Sequence, residues 1–305
     1  MKAARIHKFG GPEVLVIDDV VTPAPGAGEV LVKVAATGVG PWDALIREGE
    51  SKVSPQPPLT LGSDLSGVVE AVGQGVTEFK NGDAVYGVTN PEFVGANAEY
   101  AIAIAKMIAI KPRGLTHTEA ASVPVVAVTA WQMLFDYAHA ESGQTVMILG
   151  AAGNVGAYAV QFAARAGLHV VAVVSKKDED YAKSLGAEIV LDSQSGSFED
   201  SNPPVDAVID AVGGVTRERS LGSLKRGGVL VSVVSTDPLP SRPDVRTFFF
   251  YVEVTTERLN TISKLFESAE LRARVGSVLA LEEVRRAHEM LAGAPHERGK
   301  IVLTA

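Results

Sequence analysis

The chain is 305 residues long and 46% hydrophobic, with a formal net charge of −8. This is the make-up of a globular protein with room for two domains, and an acidic balance with no lysine or arginine block disfavours nucleic-acid and anionic-membrane partners. Cysteine is absent, which removes disulfides, thiolate nucleophiles and Cys-type zinc sites; the six histidines stand singly in different segments, so no metal is expected.

In chain order, residues 1–6 read as a strand without the apolar core of a leader. No apolar run is long enough to span a bilayer, and the expected location is the cytoplasm. Short strands punctuated by glycine and proline follow at 29–34, 65–73, 84–87 and 98–102, the pattern of a barrel-like β domain. The period turns helical over 125–138. Strands then alternate with helices: 145–149, 168–174, 188–191, 206–210, 228–233 and 247–252 make six strands of a doubly wound parallel sheet. A helix over 281–291 and a strand over 299–303 close the chain. The polar stretch Ser193–Pro204 reads as a surface loop.

The most informative segment is 145–156. Five strand-forming apolar residues run into Gly150, Gly153 and Gly156, and an amphipathic helix pattern follows. A strand that turns sharply into a helix leaves unpaired N–H groups at the helix N-terminus. Those donors and the helix dipole suit a dinucleotide pyrophosphate, and glycine lets phosphate approach the backbone. The spacing is G-x-x-G-x-x-G rather than G-x-G-x-x-G, so the strand–helix–strand context carries the reading. Gly150, Ala152, Gly153, Asn154, Val155 and Gly156 are the candidate pyrophosphate contacts. The second strand ends in Ser175-Lys176-Lys177 instead of Asp or Glu. A hydroxyl and two ammonium groups fit a 2′-phosphate, so NADPH is the expected cofactor; the competing reading is two solvated lysines in a turn. Ala211, Val212 and Gly213 after the fourth strand, and Ser232 to Ser235 with Val233 after the fifth, fall at the same expected sheet edge.

Further motifs run along nearly the whole chain: Gly10-Gly11-Pro12-Glu13-Val14-Leu15, Gly38-Val39-Gly40-Pro41-Trp42-Asp43, Leu61-Gly62-Ser63-Asp64-Leu65-Ser66-Gly67, Val128-Thr129-Ala130-Trp131 and Arg298-Gly299-Lys300-Ile301-Val302-Leu303. In this order they resemble the zinc-free quinone oxidoreductase (zeta-crystallin-like) branch of the medium-chain dehydrogenase/reductase superfamily. Ser63 stands where zinc enzymes of the superfamily carry a histidine, and Gly40 where the branch often carries asparagine.

The resemblance implies an α/β fold: a GroES-like β-rich catalytic domain, residues 1–123 and 271–305, around a Rossmann dinucleotide domain, residues 124–270, with a substrate cleft between them. It also implies a homodimer formed through the last strand of the nucleotide sheet, here the run Phe248-Phe249-Phe250; core packing is the competing reading of that run. The implied activity is zinc-independent hydride transfer from NADPH to a quinone or an α,β-unsaturated carbonyl. Rival readings are an enoyl-thioester or alkenal reductase of the same fold and a low-turnover NADPH-binding redox sensor. Thr129, Asp43 and Tyr86 are the candidate catalytic residues. Gly40, Trp42, Phe93 and Phe249 are the candidate pocket residues, and Arg298 and Lys300 are placed to reach the phosphates. The alternatives are a helix-interior threonine, a loop-capping aspartate, core aromatics and exposed charges.

Overall fold

The computed structural model describes residues 1–195, 198, 203–234 and 238–305. Ser235 and half of the polar stretch 193–204 therefore lie outside the described residues. The chain divides into two compact units, Met1–Val125 with Glu253–Ala305, and Val126–Val252.

In the first unit, β1 (Lys2–Ile6), β2 (Val16–Asp19), β3 (Glu29–Val39), β4 (Leu59–Thr60), β5 (Asp64–Val72), β6 (Ala84–Val88), β7 (Tyr100–Ile104) and β8 (Ile108–Ile110) form two sheets. The smaller runs β2-β1-β4. Helix α1 (Pro41–Glu48) starts directly after β3. Pro41 suits its first position, where a missing N–H costs no hydrogen bond, and Gly49 at φ 81° ends it in a left-handed cap. Helix α2 (His117–Ala121) is capped by Thr116 and Glu119.

The second unit begins inside α3 (Pro124–Trp131), which continues as a π-helix over Gln132–Tyr137. Strands β9 (Thr145–Leu149), β10 (His169–Val174), β11 (Ile189–Asp192), β12 (Val205–Asp210), β13 (Leu224–Ser232) and β14 (Arg246–Phe249) form one parallel sheet in the order β11-β10-β9-β12-β13-β14. The reversal of strand order beside β9 opens a crevice at the C-terminal strand ends. Helices α4 (Asn154–Arg165), α5 (Glu179–Ser184) and α6 (Gly214–Ser220) connect the strands. The near-continuous apolar runs of β9, β10 and β12 are those of strands covered on both faces, and Met147, Leu149, Val171, Val173, Val208 and Leu230 share one core.

The chain then returns to the first unit. Residues 253–270, grouped by sequence with the dinucleotide half, pack here: Thr256 at the start of α7 (Thr256–Glu267) donates its hydroxyl to Ile108 O (2.7 Å), and the Tyr86 hydroxyl donates to Leu259 O (2.8 Å). Strand β15 (Val275–Ala280), helix α8 (Val284–Leu291) and strand β16 (Lys300–Thr304) complete a seven-stranded sheet, in which β16 sits between β15 and β3. Leu279, Leu281, Val284, Ala287, Ile301 and Leu303 thereby join Ile6, Val39, Ile46 and Leu61 in one core.

Candidate functional site

The dinucleotide residues gather at the C-terminal edge of the parallel sheet. Gly150 takes φ +70°, a conformation glycine adopts freely, and its N–H donates to Val173 O. A Cβ at Gly156 would run into Gly150 O and the Ala151 backbone, so the helix approaches the turn as closely as it does only because Gly156 lacks one. No side chain caps α4, whose N-cap, Gly153, donates its own N–H to Gly150 O (2.9 Å); the first-turn N–H groups of Asn154, Val155 and Gly156 therefore point out of the helix, as a pyrophosphate requires. These features fit a dinucleotide. Ala152 lies half-buried in the same turn.

Two expected contacts look different in three dimensions. The Ser175 hydroxyl donates to Asp178 Oδ2 (2.7 Å), so its hydrogen is committed and only Lys176 and Lys177, both exposed, remain to meet a 2′-phosphate. Ser232 is fully buried and donates to Asp210 Oδ2 (2.6 Å). It fixes a strand end instead of offering a hydroxyl to a ligand. Asp210 Oδ1 accepts from the N–H of Val212 (2.9 Å) and Gly213 (2.8 Å), and the buried Arg217 guanidinium lies 3.9 Å from Oδ2. This network shapes the Ala211-Val212-Gly213 turn, and Val233 N–H donates to Asp210 O beside it. A cavity of about 270 Å³ in this unit lies at the other end of the strands, among Gln144, Asp206, Lys225 and Arg246, away from the crevice where nucleotides bind.

Thr129 is buried in α3, just ahead of the π-helical segment. Phe248 and Phe250 pack on Tyr137, the latter stacked at 4.3 Å, whereas Phe249 points the other way and meets the exposed Tyr251 edge-on. Phe249 is thus half-buried on the edge strand β14.

In the first unit a second set assembles around the start of α1. Asp43 is fully buried; its Oδ2 accepts from Gly40 N–H (2.8 Å), and Gly62 N–H also donates to the carboxylate. Burial pushes its pKa up to about 7 and outweighs these hydrogen bonds and the Lys300 charge, while Asp64 pushes the same way as burial. Asp64, also buried, accepts from Val125 N–H (2.9 Å) through Oδ1 and holds Lys300 Nζ 3.0 Å from Oδ2. Lys300 is itself 1% exposed and sits 3.9 Å above the Trp42 ring. The expected phosphate contact at Lys300 is therefore corrected: its charge is spent inside the first unit on Asp64 and an indole. Arg298 lies half-buried two residues earlier.

Trp42 Nε1 donates to Ser63 Oγ (3.1 Å). Its ring fills the space beside residue 40, so that a Cβ at Gly40 would fall well inside van der Waals contact with the indole. The side chains at this place are a serine already engaged by the indole, an ammonium and the two carboxylates beside it; among the described residues no three His, Cys, Asp or Glu side chains gather as a zinc ion requires. Phe93 packs against the same core as Trp42 and is held at φ +59° in a turn locked by Asn90 and Thr89, both bonded to Val94 O. A bulky residue in that conformation is strained, a cost met at positioned sites. Tyr86 is corrected outright. Its buried hydroxyl is spent on Leu259 O and Ser263 Oγ (2.9 Å), and burial pushes its pKa far up, so it anchors α7 and is no acid.

Sequence reasoning missed Asp64 as a partner of Lys300, and Asn97, whose Oδ1 accepts from Thr37 Oγ1 (2.8 Å) while Gly62 packs against it. The available signal was a carboxylate and an amide at core positions of a strand pattern.

Known proteins bear on the identity. Residues 26–115 match the alcohol dehydrogenase GroES-like domain and residues 185–303 a zinc-binding dehydrogenase model. Pig (Sus scrofa) quinone oxidoreductase is 32% identical over 99% of this chain and 97% of its own. The chain belongs to the medium-chain dehydrogenase/reductase superfamily, as a quinone oxidoreductase-like enzyme. Among solved structures, the Coxiella burnetii quinone oxidoreductase is 33% identical with a TM-score of 0.91, covering 100% of this chain and 99% of its own. Mycobacterial Rv1454c complexed with NADPH is 30% identical with a TM-score of 0.89, covering 100% of both chains. As an oxidoreductase of this superfamily, the protein carries no helix among the described residues long and apolar enough to cross a membrane.

Proposed function

We propose that this enzyme is an NADPH-dependent, zinc-independent reductase of quinones or α,β-unsaturated carbonyls. The observation that carries the reading is the uncapped glycine turn of α4 at the switch point of a six-stranded parallel sheet, supported by the NADPH held by a similar mycobacterial structure. Quinone as the acceptor rests on the activity named for the relatives. Zinc independence rests on Gly40, Ser63 and Lys300, which leave a metal no ligand set.

The reduced nicotinamide, when bound, supplies the hydride. The protein's own residues bind and orient. First-turn N–H groups of α4 hold the pyrophosphate, Lys176 and Lys177 meet the 2′-phosphate, Thr129 orients the carboxamide, and Trp42 with Phe93 gives the planar acceptor an apolar wall. The half-covered β14 edge, with Phe249 and Tyr251 beside it, is the face for a second copy.

The test is cofactor oxidation by purified protein against a simple quinone and a simple conjugated enone, with NADPH and NADH in parallel and with a chelator. Saturable, NADPH-preferring, chelator-insensitive turnover is the expected result. Loss of activity to the chelator refutes zinc independence, and equal use of NADH refutes the 2′-phosphate reading.

A further inference from the structure

The mixed-charge cluster beneath α1 holds more acid than base. Two carboxylates, Asp43 and Asp64, and one ammonium, Lys300, are all fully buried. If all three were ionised, the cluster would carry an uncompensated negative charge away from water, a state that buried sites avoid by taking up a proton. The position of that proton follows from the hydrogen bonds. Asp64 faces Lys300 Nζ and accepts from Val125 N–H. Asp43 Oδ2 accepts from Gly40 N–H, but Oδ1 is buried without a partner of hydrogen-bond geometry.

Asn97 Nδ2 is likewise buried without a partner, whereas Asp64 Oδ2 and Lys300 Nζ meet each other at 3.0 Å. Asn97 borders Gly62, the residue whose N–H reaches Asp43. Unmet donors and unmet acceptors in one polar layer are the partners an internal water takes. The groups facing Asp43 are Asp64 from β5, Lys300 from β16, Gly62 N–H ahead of β5 and Gly40 N–H of its own turn.

We propose that Asp43 is a neutral carboxylic acid in the resting enzyme, and that its Oδ1 proton, passed through an internal water held with Asp64, Lys300 and Asn97, is the store that completes the reduction. This rests on the function proposed above. Hydride transfer brings two electrons to an acceptor carbon, and the π pair moves onto the acceptor oxygen. That oxygen takes a proton from water, the water takes the Oδ1 proton, and the Asp43 carboxylate regains one from solvent. Asp43 acts through water, as a positioned acid one residue from Trp42 and three from Gly40.

Infrared difference spectroscopy on the apoprotein, between about pH 5 and about pH 9, tests the proton itself. A carbonyl band of a protonated carboxyl is expected near neutral pH, lost at high pH and missing from Asp43→Asn. Its absence from the wild type, or its persistence in Asp43→Asn, overturns the proposal. Lys300→Met, leaving two carboxylates without a cation, should move loss of the band to higher pH, and no movement overturns the shared cluster. If that variant does not fold, the comparison with Asp43→Asn still decides. In turnover, Asp43→Asn should lower kcat about 100-fold with NADPH affinity unchanged, and remove the high-pH limb of the kcat profile. A fall in melting temperature with an unaltered pH profile would mark a merely structural residue and overturn the proposal. Lack of turnover on every quinone and enone would instead sink the acceptor assignment while leaving the infrared result intact.

Discussion

Each unit buries an aspartate against a basic side chain, and the two burials are built differently. In the nucleotide unit, Asp210 is saturated: two backbone N–H groups, the Ser232 hydroxyl and the Arg217 guanidinium surround it, one acid to one base. In the β-rich unit, Asp43 and Asp64 share a single Lys300, and Asp43 Oδ1 and the neighbouring Asn97 Nδ2 remain unmet. One acid matched to one base, its carboxylate fully bonded, fixes a turn. A cluster with a proton to spare and polar atoms unmet is suited to move one.

Breaking the saturated cluster should cost most. Asp210→Ala leaves the Arg217 charge buried beside three orphaned donors, and a loss of about 3–5 kcal/mol is expected in urea unfolding. A value near zero would erase the distinction between the clusters. By contrast, Asp43→Asn preserves the shape of a neutral acid. Its stability at neutral pH should stay within about 1 kcal/mol of wild type.

The neighbouring indole offers a sharper probe. Gly40→Cys should destabilise by about 1–3 kcal/mol, because Trp42 already occupies the space. In a Trp42→Ala background the same change should be tolerated, and a double-mutant cycle should return a coupling of that size. Additive effects would show that the two residues do not compete for one volume.

On the nucleotide side, Lys176→Ala with Lys177→Ala should weaken NADPH by on the order of 1 kcal/mol per lysine, since both are exposed and screened, and leave NADH unchanged. Binding titrations with both cofactors decide it.

The smallest effects are in pH. Asp43 is raised to about 7 from an ordinary value near 3.8, so its protonation stabilises the fold below the lower value, and that contribution is lost as the pH rises through 7. His288 runs the other way. Burial and the Arg47 charge lower it to about 3 from 6.5; its Nδ1 accepts from Arg47 Nη1 (2.8 Å), and its contribution is lost as the pH falls from 6.5 through 3. Melting temperatures across this range should show the alkaline decline flattened by Asp43→Asn and the acid decline flattened by His288→Gln.

How much was legible follows the same division. The parallel sheet and its glycine turn announce themselves because apolar strands and close backbone approach are local properties of β9 and α4. Gly150 and Gly156 have few other uses in that pattern. The β-rich unit shows its strands but hides its partnerships. Nothing near Tyr86 in sequence marks Leu259, 173 positions away, as the acceptor of its hydroxyl, and an aromatic in a strand reads equally as wall, acid or anchor. Lys300 looked like a surface charge ahead of a strand because its burial depends on Asp64 and Trp42, which only the sheet brings near. The Ser175 hydroxyl's bond to Asp178 went unread for a local reason: the aspartate, three residues on, was in view but not joined to it.

The position of β16 sets an order of assembly. Lys300 rides on a strand inserted between β15 and β3, and that strand is made after the whole of Val126–Val252. On the ribosome the nucleotide unit can close around its sheet while the β-rich unit still exposes one edge of β3 and leaves two buried acids without their ammonium. The last strand to emerge is therefore both a seam and a countercharge, and a nascent chain stalled short of it holds an open β3 edge for chaperones to cover.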